Sequence, residues 1–251
     1  KKKTPKPKAL CQCLDANNQP CKNHPEAGSI FCGVHQNCQM SPLSGAEPRT
    51  NAPLYNRPHV CKSHNCYSYA MHVYDPEGEQ LCKTYGNCRD FFHQPGAKTG
   101  KRNALNREER RSCPVVENLM MGDISGVKKT NFTKKCPTGS SKVAAVVDRG
   151  TDYHWYRQDR DGMWSHKDGS NKVKRFDALK NPIFNPELAS RNYRWQGSNL
   201  NYEDFCGFYC VPRDKPIVLG RGANAPKSRR ARRGRKATRK GRKATRKTRK
   251  V

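Results

Sequence analysis

Residues 11–38 carry Cys11, Cys13, Cys21, Cys32 and Cys38 together with His24 and His35, but few large apolar side chains. A segment with so little to bury can fold only around a metal ion or disulfides. Cys11, Cys21, Cys32 and His35 stand in the pattern C-x9-C-x10-C-x2-H. Three thiolates and an imidazole complete a tetrahedral zinc ion, and the C-G-V-H pair is spaced so that one turn presents two ligands to the same metal. Gly28 and Gly33 supply sharp turns between the ligands. Structural zinc is the expected cofactor, contributing on the order of 10 kcal/mol of apparent folding free energy. The competing expectation is a disulfide-stapled arm without metal. Cys13 and Cys38 lie just outside the pattern, as substitute ligands or as a disulfide pair.

The chain has 13 cysteines, an odd number, so at least one thiol is free, shared or metal-bound. No apolar signal region precedes Cys11, and the expected surroundings are intracellular and reducing. The start at Lys1 leaves a processed leader open.

Charge divides the 251 residues unevenly. Lys1–Leu10 has five lysines and no acid, and reads as a basic arm. Residues 39–58 carry four prolines and read as a linker lying extended on a surface. The main domain is expected over 59–215, and a basic tail over 216–251. Within the tail, residues 227–251 hold 15 Lys/Arg and no acid, and G-R-K-A-T-R-K occurs at 234–240 and again at 241–247. One alanine per repeat gives no apolar seam for a coiled coil. The tail alone cannot repay the entropy of ordering. Its candidate polyanion-binding residues are Arg229, Arg230, Arg232, Arg233, Arg235, Lys236, Arg239, Lys240, Arg242, Lys243, Arg246 and Lys247. DNA or another polyanion is the expected partner, bound without base recognition because no aromatic side chain is interleaved. No run reaches the roughly 18 apolar residues of a membrane span.

The main domain alternates strand and turn signals, which makes the fold class α+β. Lys142–Asp148 is a continuous apolar run suited to a strand buried on both faces. D-Y-H-W-Y-R-Q, the turn D-R-D-G and M-W-S-H-K make a hairpin. C-Y-S-Y-A-M-H-V-Y at 66–74 reads as a helix with Asn65 as N-cap and Asp75-Pro76 as stop. Cys66 thus opens a helix, where a thiol is activated, and His154 and His166 lie on the two hairpin strands as base and orienting group. This order of residues resembles the papain-like cell-wall peptidases, in which a polar side chain near the nucleophile completes the oxyanion hole, and the resemblance implies His64 or Asn65 for that role. Cys61, His64, Cys82 and Cys88 are a candidate second zinc group, with buried thiols as the alternative, and Cys206 and Cys210 either pair or face the core.

Three resemblances follow from these motifs. The block from Cys11 to Cys38, with F-C-G-x-H-Q, resembles a cysteine/histidine module recurrent in proteins of large nucleocytoplasmic DNA viruses of algae and amoebae, with Pro20 as a mild departure. The order Cys on a helix start, then a strand, then His, then a polar residue on the next strand resembles the papain-like fold of the NlpC and CHAP cell-wall peptidases. The blocks H-N-C-Y-S-Y-A-M, Q-P-G, D-Y-H-W-Y-R-Q-D-x-x-G-x-W-S-H-K and N-Y-E-D-F-C-G-F-Y-C-V-P also resemble a virus-associated family with that core. These resemblances imply a minor structural protein of a virus particle, made in the host cytoplasm and attached to other capsid proteins or genome. The alternative they imply is a packaged cysteine peptidase or amidase using Cys66, His154 and His166.

Overall fold

The computed structural model describes residues 4–50 and 53–222. At its centre is the apolar run read from the sequence, now β2 (Ser140–Asp148), buried along its whole length. Successive side chains of a strand point to opposite faces. Val143, Ala145 and Val147 accordingly pack on one face with Tyr67, Met120 and Trp155, while Ala144 and Val146 pack on the other with Phe132, Trp164 and Phe208. An apolar run on both faces is what a strand covered from two sides requires.

The sheet has six antiparallel strands in the order β1-β6-β2-β3-β4-β5. The remaining strands are β1 (Lys128–Thr130), β3 (Asp152–Gln158), β4 (Trp164–Lys167), β5 (Val173–Lys174) and β6 (Asp204–Pro212). With four α-helices among the described residues the fold is mixed α and β, in agreement with the α+β expectation. The helices are α1 (Pro58–Ser63), α2 (Cys66–Ala70), α3 (Pro76–Tyr85) and α4 (Cys113–Asp123). None among the described residues is long and apolar enough to cross a membrane.

Helix α2 is shorter than the sequence implies. Its Asn65 cap is as expected, with the Asn65 side chain accepting from the Ser68 N–H and Ser68 Oγ accepting from the Asn65 N–H. Four residues earlier than expected, the chain turns out of the helix. His72 takes φ 58°, and the Val73 N–H closes back on the Ser68 carbonyl. Asp75-Pro76, read as a stop, instead starts α3, because Asp75 Oδ1 accepts from the Gly78 N–H and Pro76 needs no donor in the first turn.

Four disulfides among the described residues join Cys13–Cys38, Cys82–Cys88, Cys113–Cys206 and Cys136–Cys210. They correct two expectations. Cys206 and Cys210 do not pair with each other; on one strand, four apart, each reaches a different partner. Cys82 and Cys88 are consumed in a bond, so no zinc group forms with Cys61 and His64. The Cys113–Cys206 bond ties α4 to β6.

The segments outside the expected main domain pack against it. Gln12 reaches from the cysteine-rich segment into the sheet-covering loops, donating to the Pro182 carbonyl and accepting from the Phe184 and Asn185 N–H groups. In the 39–58 stretch, Ser41 Oγ donates to the Phe132 carbonyl and accepts from the buried Lys142 amine. Past the expected boundary at 215, Leu219 is buried, Gln94 donates its N–H to the Gly220 carbonyl, and Arg221 forks onto Asp75. Packing therefore continues past 215 among the described residues, and the expected tail residues from Arg229 onward lie outside the described residues, as do Lys1–Lys3.

Candidate functional site: a thiol and two histidines in a cleft, and a buried Cys/His group

Cys66 opens α2, where the backbone N–H has no intrahelical partner and the helix end is positive. The position of that helix start is fixed from below by Lys167. This fully buried amine donates to the Cys61, His64 and Gly169 carbonyls, holding the end of α1 against β4. Burial pushes the Lys167 amine down to about 8.

Across the cleft, β3 carries His154 on the face opposite Trp155, by strand alternation. His154 and Cys66 line one cavity of about 620 Å³, with Asn65, Arg111, Asp152 and Asp168 among its walls. Cys66 borders the cavity but is itself buried, packed in the same core cluster as Tyr67 and Trp155. No hydrogen bond joins the Cys66 sulfur to the His154 ring among the described residues.

His166 sits on β4 opposite Tyr156, two residues from the position that the same register sets against His154, so the rings meet diagonally. His154 Nε2 is 2.8 Å from His166 Nδ1, with the rings at 86°. His166 Nε2 lies 3.0 Å from the Phe176 carbonyl. A carbonyl can only accept, so the His166 proton is on Nε2 and its Nδ1 lone pair faces His154. His154 then donates from Nε2 and keeps Nδ1 as an acceptor. Asp168 Oδ1 lies 3.1 Å from His166 Nδ1 and 3.6 Å from His154 Nε2.

Sequence reasoning misses Asp168. Its signal is H-x-D: two residues beyond His166, it falls on the same side of the extended chain. Burial alone would raise its carboxyl, but His166, His154 and Lys174 bring it well below the usual carboxylate range. Burial and the neighbouring His166 hold the His154 ring down at about 3, so it is a neutral base at rest. Burial pushes the Cys66 thiol well up, with Asp152 adding to the rise. The resting pair is a thiol and a neutral imidazole.

The expected side-chain oxyanion donors are otherwise engaged. His64 donates from Nδ1 to the Val60 carbonyl at 3.1 Å and accepts the Asp75 N–H at Nε2, so its ring faces α3 rather than the cleft. Asn65 borders the cavity, but its Nδ2 donates to the His93 carbonyl. On the far wall, Arg102 Nη1 and Arg111 Nε are buried without hydrogen-bond partners among the described residues.

No protein-family profile matches this chain, and no solved structure matches it significantly. One curated protein is similar. Insoluble matrix shell protein 1 of Ruditapes philippinarum is 28% identical over 152 residues, which are 61% of this chain and 82% of that protein.

The second group is the cysteine-rich segment. Cys11, Cys21, Cys32 and His35 converge, with ligand atoms all within 4.8 Å of one another. Cys21 and Cys32 sulfurs are 3.8 Å apart, and His35 Nδ1 is 3.3 Å from Cys32 and 3.7 Å from Cys11. A tetrahedron with metal–sulfur bonds of about 2.3 Å has sulfur–sulfur edges of about 3.8 Å. The Cys32 N–H and the Asn23 amide donate to the Cys11 and Cys32 sulfurs, as thiolate ligands require. This buried group can bind a metal ion. Cys13 and Cys38 are bonded to each other beside it, which assigns them as the staple rather than as ligands.

Proposed function

We propose that the chain is a cysteine hydrolase of papain-like arrangement, a peptidase or amidase, carried on a disulfide-linked structural scaffold. The observation that carries this reading is the diagonal contact of His154 Nε2 with His166 Nδ1 at 2.8 Å, in a cleft that His154 shares with a cysteine at a helix start. With Nε2 committed, Nδ1 of His154 is the nitrogen that takes the Cys66 proton as the sulfur attacks a carbonyl. Asp168 then stabilises the imidazolium, and the Cys66 backbone N–H donates to the developing oxyanion. The leaving amine takes the proton back from His154, and water hydrolyses the thioester. The unpaired guanidinium N–H groups of Arg102 and Arg111 suit a substrate that carries a carboxylate near the bond cut.

A second reading has a specific observation behind it: four disulfides, together with similarity to a protein named for an insoluble shell matrix, favour a structural protein outside the cell. The virus-particle expectation rests on the resemblances of the N-terminal module and of the main-domain blocks, and is the same structural role in another assembly. The two readings are compatible, since a hydrolase site can be built into a matrix or a shell. For the Cys11/Cys21/Cys32/His35 group we propose zinc, because three thiolates and an imidazole favour it over harder ions.

The test is alkylation of the non-reduced full chain with iodoacetamide, mapped by mass spectrometry. Although both thiols are buried, Cys66 should react faster than Cys61, and His154→Ala should slow it. Equal rates at Cys66 with and without His154 would refute the hydrolase and leave the structural role.

A further inference from the structure

We propose that His154 Nε2, His166 Nδ1 and Asp168 Oδ1 form a second metal site, in the floor of the cleft, which takes a borderline divalent ion such as zinc and switches the Cys66 thiol off. The inference rests on the hydrolase reading only for the switching; the binding stands on the geometry alone.

These three ligand atoms lie within 4.8 Å of one another in a group that does not include the Cys66 sulfur. Their separations of 2.8, 3.1 and 3.6 Å bracket the spacing that bonds of about 2.0–2.2 Å to a common ion impose, which is about 3 Å at right angles and about 3.4 Å at tetrahedral angles. The donor set is two imidazoles and a carboxylate, the set that leaves coordination positions open. Both imidazoles are buried, and the side facing the cavity is free for a water or a substrate atom.

Proton accounting gives the independent argument. With the His166 proton fixed on Nε2 by the Phe176 carbonyl, His166 Nδ1, Asp168 Oδ1 and His154 Nε2 share a single proton between them. The 3.1 Å contact of a carboxylate oxygen with an imidazole lone pair is repulsive unless positive charge sits between them. A cation bound by all three removes that repulsion. A second proton on His166 would also do so, and the experiment separates the two. The outer partners are those a metal site uses: the Phe176 carbonyl orients one imidazole, and Lys174 holds the other oxygen of Asp168.

The consequence for the thiol follows from the tautomer. A metal on His154 Nε2 requires the ring proton to sit on Nδ1. That nitrogen can then no longer accept the Cys66 proton, so the base is lost while the cleft stays open.

The experiment is equilibrium dialysis of the full chain against zinc, with metal analysis, for wild type, Asp168→Asn, His154→Gln and Cys66→Ser. Wild type should hold one more equivalent than Asp168→Asn and His154→Gln, with affinity for that ion lowered about a hundredfold or more in the variants. Cys66→Ser should retain it, and a melting curve on each variant verifies folding, with partly exposed Asp168 as the mildest change. In wild type the same equivalent should slow alkylation of Cys66, and Asp168→Asn should be immune to that slowing. Equal zinc counts in wild type and Asp168→Asn would overturn the site and assign the charge to a protonated His166. Loss of the ion in Cys66→Ser would overturn the ligand set. An extra equivalent with a Cys66 that is unreactive even in chelator would keep the site and reject the hydrolase.

Discussion

At the level of single residues, Asp75 shows how a charge is held where the sequence suggested only a helix stop. Burial raises its carboxyl, but His93, the two guanidinium contacts of Arg221 at 2.7 Å and the Gly78 N–H bring it well below the usual carboxylate range. A carboxyl depressed in the folded state stabilises fully above its unfolded value near about 4 and loses that contribution as pH falls below it. Arg221→Ala is expected to cost about 2 kcal/mol at pH 7. The gap from wild type should persist at pH 3, because the folded carboxyl stays ionised well below its ordinary range, which urea unfolding at the two pH values would read; a gap already gone at pH 3 would contradict the ion pair. Asn65→Ala removes the α2 cap and the donor to the His93 carbonyl, and should lower stability by about 1 kcal/mol or somewhat more. Its Cys66 alkylation should also slow, because the helix start is less well fixed.

Among the elements, β4 carries the most consequence for its length. In four residues it supplies Trp164 to the core, His166 to the His154 ring and Lys167 to the end of α1. Lys167→Met keeps the stem volume but strips the donor from three carbonyls, and is expected to destabilise by roughly 3 kcal/mol. A melting temperature within a degree or so of wild type would show that water replaces the amine. The Cys113–Cys206 and Cys136–Cys210 bonds close loops of 93 and 74 residues, each worth about 4 kcal/mol of unfolded-chain freedom. Mild reduction should lower the melting temperature well before the cleft changes shape.

The sequence made some of these elements legible and concealed others for physical reasons. The central strand, the hairpin and the Asn65 cap were readable because period, turn and cap signals are local. The Cys/His quartet was readable because its ligands are close in sequence. Disulfide partners such as Cys113 and Cys206 were not, since nothing in a spacing of 93 residues selects one connectivity from the many that 13 cysteines allow. Asp168 was hidden because an acid in a K-D-G-S turn is ordinarily a solvated one; only the fold brings it to the two imidazoles. The shortness of α2 was hidden in His72, whose positive φ is set by packing rather than by propensity.

Across the whole molecule, the cysteine-rich segment and the main domain meet at Gln12. Removing metal from Cys11, Cys21, Cys32 and His35 should loosen residues 11–38 and free the Phe184 and Asn185 amides from Gln12, a change that hydrogen exchange would place at those two positions. The tail beyond the described residues has its own expectation. Deleting residues 227–251 should leave the melting temperature nearly unchanged and flatten the salt dependence of DNA binding, by about 0.9 in log–log slope for each phosphate that the shortened chain no longer neutralises.

The central claim is that Cys66 and His154 act as one nucleophilic pair, and the most direct measurement is acyl transfer. The non-reduced full chain is incubated in chelator with p-nitrophenyl acetate and followed by intact-mass and peptide mass spectrometry. The account predicts a single acetyl thioester on Cys66 in wild type, none at that position in Cys66→Ala, and much slower formation in His154→Ala. Acetylation confined to lysines or to Cys61, or an equal rate at Cys66 without His154, would contradict it.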